Sequence, residues 1–476
     1  MQRVRGLALV VLGLLVSTVG PRVLAFPVVG LGPDEVAYAV IGRELAEGNW
    51  PYSVAFDHKP VGLYLPFALA VVMFGDSVTG LRALALVTAS AGYLLAHALA
   101  RRLGAPPVAA VLLAVTYGWF TVGNGGLAMI SEHLLDVHLL GLALLLLARP
   151  GVPVALGLGA LMALSVGTNY LVGPVVAALG LAFFWRTRSL PAAWFSSVVG
   201  FVSVTAALLA PVAIWSDLGD YFGLQADFLS GYEPTSTSEP ALLAAWQAFL
   251  GPSSFALVVA AAVAVLNPNA RTRAAAAWWA LGALTVATVS LNQFFYRHYA
   301  LLLAPALIGL LAAQLRELPR PHAVGVAALT AAVTAWGVLV PTAPWLARGA
   351  TAIARQHDLG PDRTDPRIRT AEALRDLVGP DRVMYTRDIH LYLLSGAEPP
   401  TRFFFPSHHT SAKYTAARGT TRDQEMWGIV ARRPEVVVLN GVSALRPAQD
   451  TVLLDYLNAS CASPMVVADA RIHVCR

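Results

Sequence analysis

Long apolar segments recur along most of this chain, and no other feature of the sequence limits its fold so strongly. A helix needs about 20 apolar residues to cross a bilayer, and such segments return repeatedly up to about residue 341. Hydrophobic residues make up 57% of the 476 residues and charged residues only 13%, about half the share in soluble domains. The sequence therefore predicts a polytopic α-helical membrane protein.

Basic residues in the short connections orient the predicted helices. Lys and Arg accumulate in cytoplasmic loops, and they cluster here at 3–5, 101–102, 149, 186–188, 271–273 and 316–320. With a cytoplasmic N-terminus, 11 spans place every cluster inside and the C-terminus outside. These spans are 6–25, 80–100, 106–123, 127–148, 152–168, 170–185, 191–214, 250–267, 274–291, 299–315 and 322–340. Residues 6–25 are taken as a retained helix, since no convincing A-x-A cleavage site follows them.

One further apolar segment, residues 61–75, is short for a span. Counting it as a span would move Arg101 and Arg102 outside. We interpret it as an interfacial or re-entrant helix within a first external loop at 26–79, which contains interfacial helices.

The composition changes after residue 345, where the chain becomes charged and rich in turn residues. We predict a membrane domain at 1–341 and a small mixed α/β domain outside the membrane at 342–476. A helical pattern covers 366–378. Strand-like runs cover 381–386, 435–440 and 471–476.

The two cysteines of the protein, Cys461 and Cys475, both fall in this second domain, on the oxidising side of the membrane. A disulfide between them is one interpretation, and two unpaired small hydrophobic residues are the other. His408 and His409 stand beside aromatic residues, where a plain loop is favoured over a metal site.

Asp34 and Glu35 begin a helical pattern in the first external loop. One interpretation is helix-start chemistry, with Pro33 at the first position and acids favoured by the helix dipole. The other is catalytic, because a carboxylate at the membrane surface can act as a general base. Lys59 is either a snorkelling lysine or a cation for a lipid phosphate, with His58 beside it.

Two later segments also place polar groups at the outer ends of spans. Glu132, His133 and Asp136 (with His138) are costly in a membrane unless they face a wet cavity. A mutually satisfied polar plug and a metal site of weak pattern are the alternatives. A late span begins with three polar residues, for which one interpretation is interfacial anchoring. The other applies to the arginine, whose guanidinium can bind phosphate oxygens through two parallel donors. These residues are Arg297, His298 and Tyr299, and further candidates for the cavity lining are Asn124, Asn169 and Tyr170.

Acids, a lysine and an arginine thus map to one depth in the outer leaflet, which suits a reaction on a lipid-linked phosphate. The net charge of +5 does not indicate nucleic acid, because no basic patch is interleaved with aromatic residues. The expected partners include membrane lipids and no nucleic acid. The expected location is the cytoplasmic membrane.

Three stretches resemble the membrane GT-C glycosyltransferases, in the branch of protein O-mannosyltransferases and lipid A aminoarabinose transferases. They are GPDEVAYAVIGRELAEGNW at 32–50, DHKPVGLYLPFALAVVMFG at 57–75 and LRALALVTASAGYLLAHALARRLG at 81–104. The segments 131–149, 297–313 and 391–405 are also similar to bacterial members of that branch.

This resemblance implies a polyprenyl-phosphate-linked sugar as donor and catalysis on the outer face. Carried over by position, Asp34 is the general base and Glu35 its support. Lys59 and Arg297 bind the donor phosphate, and Glu132 contacts the acceptor or a cofactor. Two positions depart from the family pattern: His58 precedes the lysine, and His298 follows the arginine.

The sequence therefore predicts a GT-C type enzyme that performs a single inverting displacement on an acceptor hydroxyl. The main alternative is a transporter or flippase of a lipid-linked glycan, which would need polar residues at mid-span. A catalytically silent receptor is a weaker alternative. The sugar, the acceptor (glycan, lipid or protein) and any need for a divalent metal stay open.

Overall fold

The structure is a computed structural model that describes residues 2–50, 52–230, 251, 254–266, 272–291, 296–377, 382–440, 445 and 450–476. The chain divides into two compact units, which we call the helical unit and the mixed unit. The helical unit contains Met1–Ala25, Arg82–Leu208 and Pro234–Ala350. The mixed unit contains Phe26–Leu81, Leu209–Glu233 and Thr351–Arg476.

Helices account for most of the first 356 residues. In chain order they are α1 (Gln2–Leu14), α2 (Gly20–Ala25), α3 (Pro33–Ala46), α4 (Tyr64–Phe74), α5 (Val78–Arg102), α6 (Pro107–Gly123), α7 (Ser131–Leu147), α8 (Val152–Thr168), α9 (Gly173–Arg186), α10 (Pro191–Trp215), α11 (Leu218–Ser230), α12 (Ser254–Leu266), α13 (Arg273–Leu291), α14 (Ala304–Leu315) and α15 (Arg320–Gln356). A π-helical segment, Leu15–Val19, joins α1 to α2. Short 3-10 segments, Val61–Leu63, Tyr170–Val172 and Arg297–Leu303, lead into α4, α9 and α14.

Helices occupy all 11 positions at which the sequence predicts spans, although 250, 252, 253 and 267 lie outside the described residues. Five of the described helices are long and apolar enough to cross a membrane: Val4–Ala25, Val78–Arg102, Pro191–Trp215, Arg297–Leu315 and Arg320–Gln356. Shorter apolar helices of 10–17 residues accompany them, among them Val61–Phe74. The number of spans stays a prediction.

The helix α15 is longer than its predicted span. It passes through Pro341 and Pro344 without interruption and ends at Gln356, so the predicted domain border at 341/342 lies inside a helix. Sequence composition changes near that point, but the backbone remains helical for about four more turns. The division into a catalytic membrane domain and a separate C-terminal domain stays a prediction.

The C-terminal part of the mixed unit combines short helices with a small sheet. Its elements are α16 (Pro366–Leu377), β1 (Met384–Thr386), α17 (His390–Ser395), α18 (Pro406–Thr410), α19 (Ala412–Ala417), α20 (Arg422–Ala431), β2 (Val436–Leu439), α21 (Thr451–Ser460), β3 (Met465–Val467) and β4 (Ala470–Val474). The sheet order is β1-β2-β4-β3, with β1 parallel to β2 and the other pairs antiparallel.

This architecture confirms the predicted small C-terminal sheet. All three predicted strand runs form strands, although residue 381 lies outside the described part, as does residue 378 at the end of the predicted helix. The strand β3 was not predicted, because it has three residues and two of them are exposed. The fully buried β2 pairs Val437 with Tyr385 on one side and with His473 on the other.

Two open questions about the C-terminal part are answered by the structure. Cys461 and Cys475 form a disulfide that links the end of α21 to the residue after β4, so the disulfide interpretation is confirmed.

The prediction of a plain loop at His408 and His409 is wrong. Both side chains are buried in α18. Several aromatic rings, among them Phe56 and Phe228, pack around His408. His409 packs against Tyr385.

The helix α3 packs closely against α4 within the mixed unit. Residues Glu35 to Glu44 are buried, so this helix lacks the broad polar face of a helix that lies free on a surface. Tyr38 meets Phe67 edge to face, with ring centroids 5.5 Å apart. A Cβ atom at Gly42 would lie 2.8 Å from backbone atoms of Phe67 and Ala68. The two backbones therefore touch where only glycine fits.

We expect Gly42→Ala to destabilise the mixed unit by roughly 1–3 kcal/mol, because an added methyl group overpacks a contact between two backbones. The matched control is Gly325→Ala in α15, where nothing lies within 4 Å of an added Cβ. That change should be neutral or stabilise by up to about 1 kcal/mol through helix propensity. Thermal melting of both variants in detergent tests this, and equal melting temperatures would contradict the packing account.

Candidate active site

The acidic pair lies in the first turn of α3. Gly32 is the extended N-cap residue and Pro33 follows at the first helical position, so Asp34 and Glu35 stand next to backbone N–H groups that have no intrahelical partner. Asp34 is half-buried, whereas Glu35 is only 1% exposed. The helix dipole favours negative charge at this end. The position suits both the helix-start interpretation and the catalytic one.

A path of aromatic contacts connects the helix α3 to the loop that carries Lys59. Tyr38 lies one turn after Asp34 and on the same side of the helix. Its ring centroid is 6.2 Å from that of Tyr64, the first residue of α4. The Tyr64 hydroxyl donates to the Lys59 carbonyl at 3.1 Å. The acid and the lysine are therefore held by neighbouring parts of one packed assembly.

The backbone at Lys59 is fixed from several sides. Tyr52 and Tyr64 both donate hydroxyl hydrogen bonds to the Lys59 carbonyl. The Val61 amide donates to the hydroxyl of Tyr221, on α11, at 3.1 Å. These bonds satisfy backbone groups in a loop that would otherwise be costly to bury.

Lys59 is a buried residue that interacts electrostatically with the neighbouring Asp57 without forming a salt bridge. The residue is 7% exposed, and within the described part of the chain its ammonium makes neither a hydrogen bond nor a salt bridge. The neighbouring carboxylate is already engaged, because His58 Nδ1 lies 2.9 Å from Asp57 Oδ1. Burial raises the pKa of Asp57, but His58, Lys59 and His408 together hold it below its usual value.

An aromatic cluster of five residues surrounds this loop: Phe56, Phe228, Phe403, His408 and Tyr414. Phe228 stacks on Tyr414 with centroids 4.5 Å apart, and the His58 ring stacks on Phe228 at 4.7 Å. Phe56 meets Phe228, Phe403 and His408 at 5.3–5.8 Å. Residues from the first loop, from α11 and from the C-terminal part thus form one cluster.

Arg402 adds polar bonds to the aromatic cluster. Its carbonyl accepts from the Phe56 amide at 2.7 Å. Its guanidinium donates to the Tyr52 carbonyl and to Asp220 at 3.2 Å each. Sequence reasoning missed Arg402, Tyr221 and Phe228. Only the amphipathic pattern of 218–230 could have indicated a helix that packs here.

In the helical unit, Glu132 lies in the first turn of α7 and forms part of a hydrogen-bonded group. One of its carboxylate oxygens accepts from Ser131 at 2.8 Å and from Asn169 at 3.3 Å. The other lies 3.9 Å from His298 Nε2. The helix α7 and the 3-10 segment 297–303 therefore meet at this carboxylate. Tyr170 is half-exposed and Asn124 is buried.

His133 and Asp136 are fully buried on α7, near polar residues of neighbouring helices. Tyr117 faces Asp136, and Arg22 donates to Thr121 at 2.9 Å. In the part of the chain that the structure describes, neither ring nitrogen of His133 and neither carboxylate oxygen of Asp136 has a hydrogen-bond partner. The polar plug and the wet cavity both stay predictions for this group. Arg22 was not predicted as a site residue, because it is a lone basic residue inside an apolar helix.

Arg297 begins the 3-10 segment that leads into α14. It is half-buried, and its Nε and Nη2 atoms are buried without a hydrogen-bond partner among the described residues. The following His298 stacks on Tyr296 at 5.4 Å and meets the buried Tyr299 edge to face at 4.8 Å. Among the described residues, no carboxylate forms a salt bridge with this guanidinium.

The predicted site residues fall into two groups. Asp34, Glu35, His58 and Lys59 belong to the mixed unit, whereas Glu132, His133, Asp136, Arg297, His298 and Tyr299 belong to the helical unit. Over the described ranges, no three His, Cys, Asp or Glu side chains converge as metal ligands.

Burial lowers the pKa of His408 to about 3 and that of His409 to about 4. The unfolded chain binds these protons near pH 6.5, so stability should fall as the pH drops from about 6.5 towards 3. His408→Phe keeps a ring in the cluster and removes one titrating group. We expect a shallower fall of melting temperature between pH 6.5 and 4 than in the wild type. His322→Phe, at an exposed position, is the control, and an unchanged slope in His408→Phe would contradict the prediction.

Comparisons with known proteins give partial matches in sequence. No protein-family model matches the chain. Over 95 residues it is 36% identical to an undecaprenyl phosphate-alpha-4-amino-4-deoxy-L-arabinose arabinosyl transferase of Pseudomonas fluorescens, covering 19% of this chain and 17% of the relative. Over 108 residues it is 33% identical to the transferase of that name from Pseudomonas paraeruginosa, covering 21% and 20%. The chain thus matches about a fifth of the length of these relatives.

In structure, the likeness extends over the whole chain. ArnT from Cupriavidus metallidurans, solved bound to undecaprenyl phosphate, superposes with a TM-score of 0.63 at 14% identity, over 98% of this chain and 97% of that one. The arabinofuranosyltransferase AftD from Mycobacteria superposes with a TM-score of 0.51 at 15% identity, over 97% of this chain and 40% of that one. The likeness in fold, together with the apolar helices, supports a polytopic membrane protein. The resemblance inferred from the sequence is confirmed: the chain is similar to the GT-C glycosyltransferases, on the side of the aminoarabinose transferases.

Proposed function

We propose that this protein is a glycosyltransferase that moves a sugar from a polyprenyl-phosphate-linked donor to an acceptor hydroxyl at the outer face of the membrane. The observation that carries the proposal is Lys59, a residue that is 7% exposed and whose ammonium has no hydrogen bond or salt bridge among the described residues. A buried charge is costly unless it is paired. In a chain with the fold of ArnT, a lipid phosphate is the anion that would complete this site.

In the proposed mechanism, Asp34 is the general base. It accepts the proton of the acceptor hydroxyl, whose oxygen then bonds to the anomeric carbon from the face opposite the phosphate. The bond from the anomeric carbon to the phosphate oxygen breaks, and its electron pair leaves with the polyprenyl phosphate. A single displacement of this kind inverts the anomeric configuration. Glu35 supports the base.

Lys59 stabilises the negative charge that develops on the departing phosphate, because its ammonium is already in place when the bond breaks. Arg297 is proposed for the same chemistry, since a guanidinium binds phosphate oxygens through a planar pair of donors. Its two buried nitrogens without hydrogen-bond partners in the described chain support this role. His58, which lies against Asp57, borders the lysine.

The remaining predicted residues are proposed to line the substrate cavity: Glu132, His133, Asp136, His298 and Tyr299. Glu132 and His298 offer two kinds of metal ligand near each other. A divalent metal would need further ligands from substrate or water, because no third protein ligand converges there in the described chain. We therefore assign no step to a metal.

The chain is proposed to span the cytoplasmic membrane about 11 times, with the N-terminus inside and the C-terminal domain outside. Its proposed partners are membrane lipids, the polyprenyl-phospho-sugar donor and an acceptor that presents a hydroxyl group. No comparison favours the transporter or flippase alternative, because the names of the arabinosyl transferase relative and of AftD are those of transferases.

Asp34→Asn should reduce sugar transfer by roughly 10²–10⁴-fold, the usual contribution of a general base, while donor binding persists. The measurement is release of polyprenyl phosphate from a panel of polyprenyl-phospho-sugars by purified protein in detergent. Glu47→Gln, an exposed acid at the other end of α3, is the control and should keep full activity. Equal release by Asp34→Asn and the wild type would remove Asp34 from the chemistry.

Lys59→Met should weaken binding of polyprenyl phosphate by about 10- to 100-fold, because a hydrogen bond to a charged group contributes about 1.5–3 kcal/mol. Binding can be followed by titration calorimetry or by the change in tryptophan fluorescence. Lys413→Met removes an exposed lysine from the same unit and should bind like the wild type. Equal affinity of all three proteins would show that Lys59 does not bind the phosphate.

A further inference from the structure

We infer that the segment 388–397 of the mixed unit positions the helix that carries Asp34, with Arg367, Asp388 and Arg43 as its positioning residues. The inference deepens the proposed function and rests on Asp34 as the base. Four sets of contacts within the mixed unit carry it, and none of them involves an acid of the proposed active site.

The chain just before α3 is attached to the C-terminal part of the unit. The Pro27 carbonyl accepts from the Asp362 amide at 2.9 Å. The Arg367 guanidinium lies over Gly30, where a Cβ atom would come within 2.9 Å of Nη1. Glycine at position 30 therefore leaves the room that the guanidinium occupies. This contact lies four residues before Asp34.

Asp388 fixes the arginine that covers Gly30. Its carboxylate accepts from Arg367 Nε at 2.8 Å and from Asn440 Nδ2 at 3.0 Å, and it lies 2.8 Å from His390 Nδ1. The carboxyl group is 2% exposed. Burial raises its pKa, but these partners outweigh burial and hold the pKa at about 2. Asp388 thus remains an anion that ties α16, α17 and the residue after β2 together.

The other end of α3 is attached to the same segment. Arg43 is buried at 5% exposure, and it donates to the Tyr392 carbonyl at 3.1 Å and to the Ala397 carbonyl at 3.3 Å. These carbonyls lie near the C-terminus of α17, where the helix dipole favours a cation. Two carboxylates also lie near the guanidinium, Glu44 at 3.3 Å and Asp76 at 3.4 Å.

The segment itself is anchored to the sheet. The Tyr392 hydroxyl accepts from the Thr386 amide at 3.1 Å and donates to the Thr386 carbonyl at 3.2 Å. One short segment therefore holds the two ends of α3, through Asp388 and Arg367 at the start and through Arg43 near the end. Release at the start would let the first turn move while Arg43 still holds the last turn.

A displacement of about 1 Å at a reacting group can reduce a rate by about 100-fold without removing a catalytic residue. The Lys59 carbonyl is held separately by Tyr52 and Tyr64. Loss of the Arg367–Asp388 bond should therefore misplace the acid while donor binding is retained. A merely structural role would reduce the amount of folded protein instead, and would leave kcat per folded molecule unchanged.

The test uses the full-length protein with Arg367→Met and Asp388→Asn. We expect kcat for transfer to fall 10- to 100-fold, with KM for the donor changed less than threefold. Deuterium exchange of the amides at 27–36 should become faster. Arg367→Lys keeps a charge and should restore part of kcat. Arg363→Met removes an exposed arginine that pairs with Asp358, and as the control it should change neither measurement.

Gly30→Ala serves as the second variant if Asp388→Asn does not fold, since it displaces the guanidinium but keeps every charge. Unchanged kcat with faster exchange would overturn the positioning role, as would a rise in donor KM with unchanged kcat. If Asp34→Asn proves fully active, the proposed base is wrong. The attachment of α3 to the segment 388–397 is then tested by deuterium exchange alone. Faster exchange at 27–36 would then support the attachment, and unchanged exchange would overturn it.

Discussion

The position of Lys59, a charged residue that is only 7% exposed, is the constraint on which the rest of this account depends. A lysine at that depth must be held in place by its backbone, because its charge has no hydrogen bond or salt bridge in the described chain. Two tyrosine hydroxyls at its carbonyl supply that hold, and the aromatic cluster around Phe228 fixes the loop that precedes it. The mixed unit thus combines three distant stretches of sequence around one cation.

Much of the helical framework was predictable from the sequence, because a bilayer imposes a simple length and hydrophobicity on each span. Helix positions, the short apolar helix within 61–75 and the small sheet followed from apolar periodicity. The residues at which individual helices end could not be predicted in this way. The helix α15 continues to Gln356 through two prolines, since a change in composition does not by itself end a helix.

The candidate site was predictable in its residue types but not in its surroundings. Asp34, Lys59 and Arg297 are recognisable as candidates because charges next to apolar segments are costly and therefore informative. The residues that hold them were missed. Phe228 and Arg402 act through contacts between stretches far apart in sequence, and no local pattern encodes such contacts. The sequence predicts a loop at His408, because the side chain is buried by contacts with stretches that are far away in sequence.

The most direct test of the central claim is a cryo-EM structure of the full-length protein with undecaprenyl phosphate. The account predicts phosphate density within salt-bridge distance of the Lys59 ammonium, with the carbonyl of that residue still bonded to Tyr52 and Tyr64. Phosphate density elsewhere, with the Lys59 side chain turned to a protein carboxylate, would contradict it. Lys59 would then be a structural cation, and the proposed transfer reaction would lose its main support.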